Sequence, residues 1–189
     1  MKKIALAAIV LFMATSVAII AQTSEVNLDK STIKWEGKKI ASGHHGEIQL
    51  QSGSLEMENG QITGGMFVID MNSITNEDLT NEDRNQRLVG HLKSDDFFGV
   101  EKFPTSSFKV TKSTAFADGK ATLTGDLTIK ENTESISFEV VRNNDEYTAK
   151  IPIDRSKFDV RFGSDSFFDN LGDNAINDIF TLEVKLVMN

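Results

Sequence analysis

The chain has 189 residues and no cysteine, so neither a disulfide nor the lipid-modified cysteine of a bacterial lipoprotein can form. Its 20 basic residues stand against 28 acidic ones, and the net charge of −8 argues against nucleic-acid or anionic-membrane partners. Thirteen phenylalanines against one tryptophan, Trp35, and one tyrosine, Tyr147, point to an apolar core or an apolar cavity, because the phenyl ring has no polar handle.

Lys2 and Lys3 lead an apolar run from Ile4 to Ile20, followed by small residues, so 1–21 reads as a secretory signal peptide. Cleavage after Ala18 or Ala21 starts the mature chain at Ile19 or Gln22. A retained anchor is the competing reading, but about 17 apolar residues are short for a span, and stable membrane insertion is not expected. Removing both lysines leaves 18 basic against 28 acidic residues, a net charge of −10. The remaining residues, 22–189, suit a single domain with a sizeable core. The expected location is the periplasm or the exterior of the cell.

Apolar and polar residues then alternate with the period of half-buried strands. Ile33 and Trp35 share one face, as do Ile48 and Leu50. Beyond Ser52-Gly53 the inward set shifts to Leu55 and Met57, which calls for a bulge. Asn59-Gly60 supplies a tight hairpin turn. The run 61–71, apolar around Phe67, Val68 and Ile69, reads as a strand covered on both faces. A long connection to Pro104 contains a capping box at Thr80 and Asp83, with Leu88 and Leu92 spaced i, i+4 on the helix that it starts. Ser94 ends that helix.

The meander resumes with Phe108 and Val110, a turn at Asp118-Gly119, then Ala121, Leu123, Leu127 and Ile129. Ile136, Phe138 and Val140 mark the next strand. Tyr147, Ala149, Ile151 and Ile153 mark another, whose Pro152 belongs at an edge or bulge. An irregular stretch, 155–178, contains a short helix capped by Asp173 and running through Ala175 and Ile176. The last strand alternates from Phe180 to Met188. The fold expected is all-β: an up-and-down antiparallel β-barrel of about eight strands, with short helices in two long connections. A two-sheet sandwich is the alternative.

The segment "GHLKSDDFFGVEKFP" (90–104) breaks the pattern. Phe97 and Phe98 are adjacent, and a strand cannot bury both on one side. Phe103 follows, and the second connection adds Phe158, Phe162, Phe167 and Phe168. Two such connections either line an apolar pocket at the barrel mouth or plug the barrel as core. His44 and His45 alternate on a strand, and no zinc spacing accompanies them. Asp165, Asp169, Asp173 and Asp178 fail the spacing of a calcium loop. No metal or cofactor is expected. There is no G-x-S-x-G, H-E-x-x-H or phosphate loop, so nothing supports an enzyme. His91, at a helix end, either meets the helix dipole there or donates to a ligand head group.

"GHLKSDDFFGVEKFPTSSF", "GDLTIKENTESISFEV" and "IDRSKFDV" together resemble the YceI family of bacterial lipocalin-like proteins, along nearly the whole mature chain. The resemblance implies an antiparallel barrel, exported to the periplasm, whose interior binds polyisoprenoids or similar long-chain amphiphiles. Leu92, Phe97, Phe98 and Phe103 carry over by motif as ligand contacts. Phe108, Phe138, Phe158, Phe162, Phe167 and Phe168 complete the candidate lining, with His91 and Arg155 as head-group candidates. Gly99 and Asp159 depart from the family pattern, which has Asp and Gly at those places. The expected partner is one long-chain isoprenoid or fatty-acid-like ligand held for storage or transport. An exported enzyme on the same barrel and a filled-core interaction protein are the alternatives, and a homodimer is compatible with all three. Mass analysis of the exported protein is expected to find a start at Ile19 or Gln22; a membrane-bound product retaining Met1 overturns the leader.

Overall fold

Among the described residues nine strands form one antiparallel sheet, and the alternation read from the sequence decides which face of each points inward. The computed structural model describes residues 22–39 and 42–189; the leader expected at 1–21 lies outside them. In chain order the strands are β1 (Gln22–Glu25), β2 (Thr32–Lys38), β3 (Gly43–Glu58), β4 (Gln61–Asp70), β5 (Thr105–Ser113), β6 (Lys120–Ile129), β7 (Asn132–Asn143), β8 (Glu146–Asp154) and β9 (Ile179–Val187). The helix α1 (Glu82–Lys93) lies in the first long connection. Eight strands close a barrel in the order β3-β2-β9-β8-β7-β6-β5-β4, with β4 returning to β3. β1 is the extra strand, and it pairs with the far half of β3.

Positive backbone φ at Asn59 and Gly60, and at Asp118 and Gly119, makes the two tight turns expected at those places. The bulge in β3 falls at Gln51, one residue before the expected place. A second register shift, opposite Glu56 and Met57, lets both Ile62 and Phe67 face inward on β4. That strand is therefore not covered on both sides: Met66 points out and is 44% exposed. The apolar density of 61–71 came from a change of phase. The cap of α1 is Asn81 rather than Thr80, its side chain accepting from the amide of Arg84. Asp173 lies inside a 3-10 turn (Gly172–Asn174) that has no side-chain cap. Ser94 does end α1.

The closure is uneven. At one end, called the lower end here, tight hairpins join β3 to β4 and β7 to β8. At the upper end two opposed seams part. The β3–β4 ladder stops at Gln49 and Asp70, while β3 runs on to Gly43. The β7–β8 ladder has pairs only from Asn143–Glu146 to Val140–Ala149. Both long connections leave from the upper end; the first packs into the β3–β4 parting and the second packs against β7.

In the first seam, residues 73–77 take the place of the missing strand. Thr75 and Glu77 donate their amides to the carbonyls of Glu47 and His45, each at 2.9 Å. Gln49 donates its amide to Ser73 Oγ at 2.7 Å. Gly46 permits this approach, because a Cβ there would stand 2.0 Å from the carbonyl oxygen of Thr75. Gly46→Ala is expected to cost about 1–3 kcal/mol in urea unfolding through overpacking. Gly37→Ala, with nothing within 4 Å of its added Cβ, is expected to stay within about 1 kcal/mol of the parent, the ordinary range for a strand glycine.

Candidate functional site

Inside the barrel lie two chambers that meet end to end. The upper has a volume of about 240 Å³ and the lower about 100 Å³. Ile33, Ile69, Leu127, Ile153 and Leu182 line both and form the belt between them. The lower chamber is walled by Phe67, Phe108, Phe138 and Tyr147 among others. Phe67, Phe108 and Phe138 form a row, with ring centroids 6.5 and 5.5 Å apart. The row crosses β6 at Gly125, where a Cβ would come within 2.4 Å of the Phe108 ring. An eight-stranded barrel is wide enough for its own side chains or for one small ligand. Here the rings fill part of the interior and leave the rest open.

The first connection builds the upper chamber. Asn85 anchors α1 by donating to the carbonyls of Asn76 and Leu79. Leu88 and Leu92 then share the inward face and line the chamber. After Ser94 the chain turns tightly: the amides of Phe97 and Gly99 both donate to the Ser94 carbonyl. Gly99 has φ +58° and closes the turn. This turn, unlike a strand, directs two neighbouring rings into one space. Phe97 is buried and Phe98 half-buried, with centroids 5.0 Å apart at 70°, and both line the upper chamber.

The other candidates divide. Phe162 joins Phe97 and Phe98 at the upper chamber, and Phe108 and Phe138 line the lower one. Phe103, Phe158, Phe167 and Phe168 line neither. Phe103 packs on Gly99. Phe158 lies in a short 3-10 turn (Arg155–Phe158) that packs against β7, and it is 1% exposed. Phe167 stacks beneath the Arg161 guanidinium, and Phe168 is 49% exposed. Residue type alone made these seven connection phenylalanines look alike. Their backbone directions separate them: Asp159 follows Phe158 at φ +58°, the left-handed conformation that favours glycine, and turns the chain away. Sequence reasoning missed Met71, Ile74 and Phe180 as chamber lining, although the strand alternation pointed Phe180 inward.

Arg155 is 2% exposed and lines the upper chamber, yet its donors are already committed. Nε donates to Asn177 O, one terminal nitrogen to Val160 O and Phe162 O, and the other to Ile176 O, at 2.9–3.2 Å. The last nitrogen also faces Asp178 Oδ1 at 3.3 Å. Burial opposes the Arg155 charge, and Asp178 and Asp154 counter it. Arg155 thus ties the second connection together, which corrects its expected place as a free head-group contact. His91 differs. Its ring lies edge-on to Phe97 and Phe162, at 5.8 and 4.4 Å, and its buried Nε2 has no hydrogen-bond partner among the described residues.

Lys38, Lys39, His44, His91 and Arg155 supply the charged and titratable lining of the upper chamber; among the described residues no carboxylate lines either chamber. Asp78 stands behind His44, whose Nδ1 is 2.8 Å from Asp78 Oδ2. Burial alone would raise the Asp78 carboxyl, but the His45 amide and the side chains of His44 and Asn76 hold it at about 2. Among the described residues no three metal-ligating side chains converge.

Arg155→Met is expected to destabilise the protein by about 3–5 kcal/mol, because it strands several buried carbonyls together with Asp178. Arg155→Lys is expected to recover less than half of that loss, since an ammonium has three donors and cannot reproduce the planar fork. Urea unfolding of the two variants provides the measurement. A change below about 1 kcal/mol in both, the size of a surface substitution's effect, would contradict the anchoring role.

The YceI-like domain family model matches residues 25–188. Among solved structures, Burkholderia cenocepacia BcnA is similar at 21% identity and a TM-score of 0.68, covering 87% of this chain and 99% of that one. A polyisoprenoid-binding domain from Saccharophagus degradans, implicated in plant cell wall breakdown, has 13% identity and a TM-score of 0.59, covering 88% of this chain and 97% of its own. The Campylobacter jejuni YceI protein has 20% identity and a TM-score of 0.51, covering 69% and 74%. At these identities the solved structures establish the fold. Comparison with curated proteins finds no match.

Proposed function

The chain belongs to the YceI-like domain family, and we propose that it is an exported binding protein holding one long-chain amphiphile, a polyisoprenoid or a fatty-acid-like molecule, for storage or transport. The observation that carries this reading is the pair of adjoining chambers that share a belt of five apolar residues, with charged side chains lining only the upper one. The Saccharophagus domain, with the same fold, is a polyisoprenoid binder. The leader read at 1–21 supports export to the periplasm or beyond. Among the described residues no carboxylate lines either chamber, which supports reading the protein as a binder rather than an enzyme.

Energetics favour a long chain. Each buried methylene contributes about 0.8 kcal/mol, so ten give about 8 kcal/mol. That is of the same order as the roughly 4–15 kcal/mol lost on association. Short chains therefore bind weakly, and each added carbon strengthens binding until the column is full. The chain runs down through the belt, with the head group at the upper end. His91 is the candidate contact there, as its buried Nε2 lacks a partner.

Native mass spectrometry of protein purified from its own host is expected to show a bound molecule of this class. Phe97→Ala is expected to cost about 3–5 kcal/mol of stability, as for a buried core ring. The half-buried Phe98 is expected to behave differently: Phe98→Ala hurts the empty protein less and ligand affinity more. Urea unfolding with and without a long-chain prenol or fatty amide separates the two effects. Equal destabilisation of both variants in both conditions would assign these rings to core.

A further inference from the structure

We propose that the parting between β7 and β8 is a lateral portal through which the hydrocarbon chain of the ligand passes into the barrel; the proposal rests on the chain-binding reading above. Above Val140 and Ala149, β7 keeps only β6 as a partner and β8 keeps only β9. Continuing the register of that ladder sets Glu139 opposite Lys150 and Phe138 opposite Ile151, without pairing. Unpaired strand edges are tolerated where solvent reaches them, and with Glu139 and Lys150 exposed beside it this stretch of wall is closed by no ladder. Pro152, which has no amide to donate, lies on it.

The chambers reach this wall from inside, and a surface groove reaches it from outside. Ile136, Phe138 and Ile151 line the lower chamber. Outside, Glu139, Val141 and Lys150 line a groove of about 570 Å³. Thr148, Ala149 and Val184 border both spaces. On the β8 side the residues that border both spaces are two small ones, Thr148 and Ala149, at the edge of the paired stretch. The upper end is a poorer route. There His91 and Phe162 pack at 4.4 Å, Phe97 and Phe98 at 5.0 Å, and four Arg155 hydrogen bonds hold the second connection in place. Passage through that end breaks buried hydrogen bonds; passage through the seam breaks no β7–β8 backbone pair.

The chain lacks cysteine, so a cysteine pair can be placed across the seam on outward positions, Glu139→Cys with Lys150→Cys. The ion pairs removed, Lys120–Glu139 and Lys150–Glu183, are exposed, and such pairs contribute little to stability. A second pair, Lys34→Cys with Glu183→Cys, crosses the intact β2–β9 ladder as a control. Where the seam thiols stand too far apart for a disulfide, a short bis-thiosulfonate reagent spans them. Stopped-flow association of a fluorescent fatty acid of about sixteen carbons, longer than the ten methylenes counted above, is followed beside equilibrium occupancy. The expected result is association slowed at least tenfold in the cross-linked seam variant, restored by reductant, and unchanged in the control. Loading of the cross-linked seam variant as fast as after treatment with reductant overturns the portal while leaving the chain-binding reading intact. A probe that binds none of the forms, reduced or cross-linked, overturns both.

Discussion

Eight strands can close only if every neighbouring pair keeps its ladder, and in this barrel two opposed pairs keep it over part of their length. Four strands lie on each side of those seams, β3-β2-β9-β8 and β7-β6-β5-β4. The lower halves close and the upper halves spread. A spread barrel end exposes apolar side chains and unpaired backbone, so it needs other chain to cover it. Both long connections supply that cover. Segment 73–77 replaces a strand along β3, while the Arg155–Phe158 turn packs beside β7. The upper chamber is the space that remains beneath this cover.

The cover is held by polar groups that the chamber does not offer to a ligand. Arg155 binds four backbone carbonyls of its own connection. Charge burial of this kind is costly unless every donor is met, and meeting them makes the loop rigid. Asp78 plays a milder part on the other connection, taking the His45 amide and the side chains of His44 and Asn76. Apolar rings can therefore line the space without collapsing into it. Gly46 and Gly125 contribute by omission, each allowing backbone or ring to approach where a methyl group would not fit.

Much of this was legible from periodicity. Strand alternation located Ile33, Phe108, Phe138 and Ile153 on the inner face, and the adjacency of Phe97 and Phe98 marked a turn that a strand could not serve. Pro152 signalled an edge. The phenylalanines of 155–178 were less legible, since Phe158, Phe162 and Phe168 have the same chemistry and end up in the core, on the chamber and at the surface. Arg155 was misread for a related reason: a guanidinium beside a cavity suggests a ligand, but local carbonyls reach it first.

The sequence by itself determined the strands, their inward faces, the hairpins and the existence of two apolar connections, because these depend on the residue repeat and on φ preferences that neighbours settle locally. Tertiary structure decided where the ladders part, which rings of the connections enter the barrel and where Arg155 spends its donors. Those outcomes depend on contacts between residues far apart in the chain. Gly46 beneath Thr75 and Arg155 beneath Ile176 are such contacts, and no local pattern encodes them. An edge at Pro152 could be read from one residue; that the edge lies within a closed barrel required all eight strands.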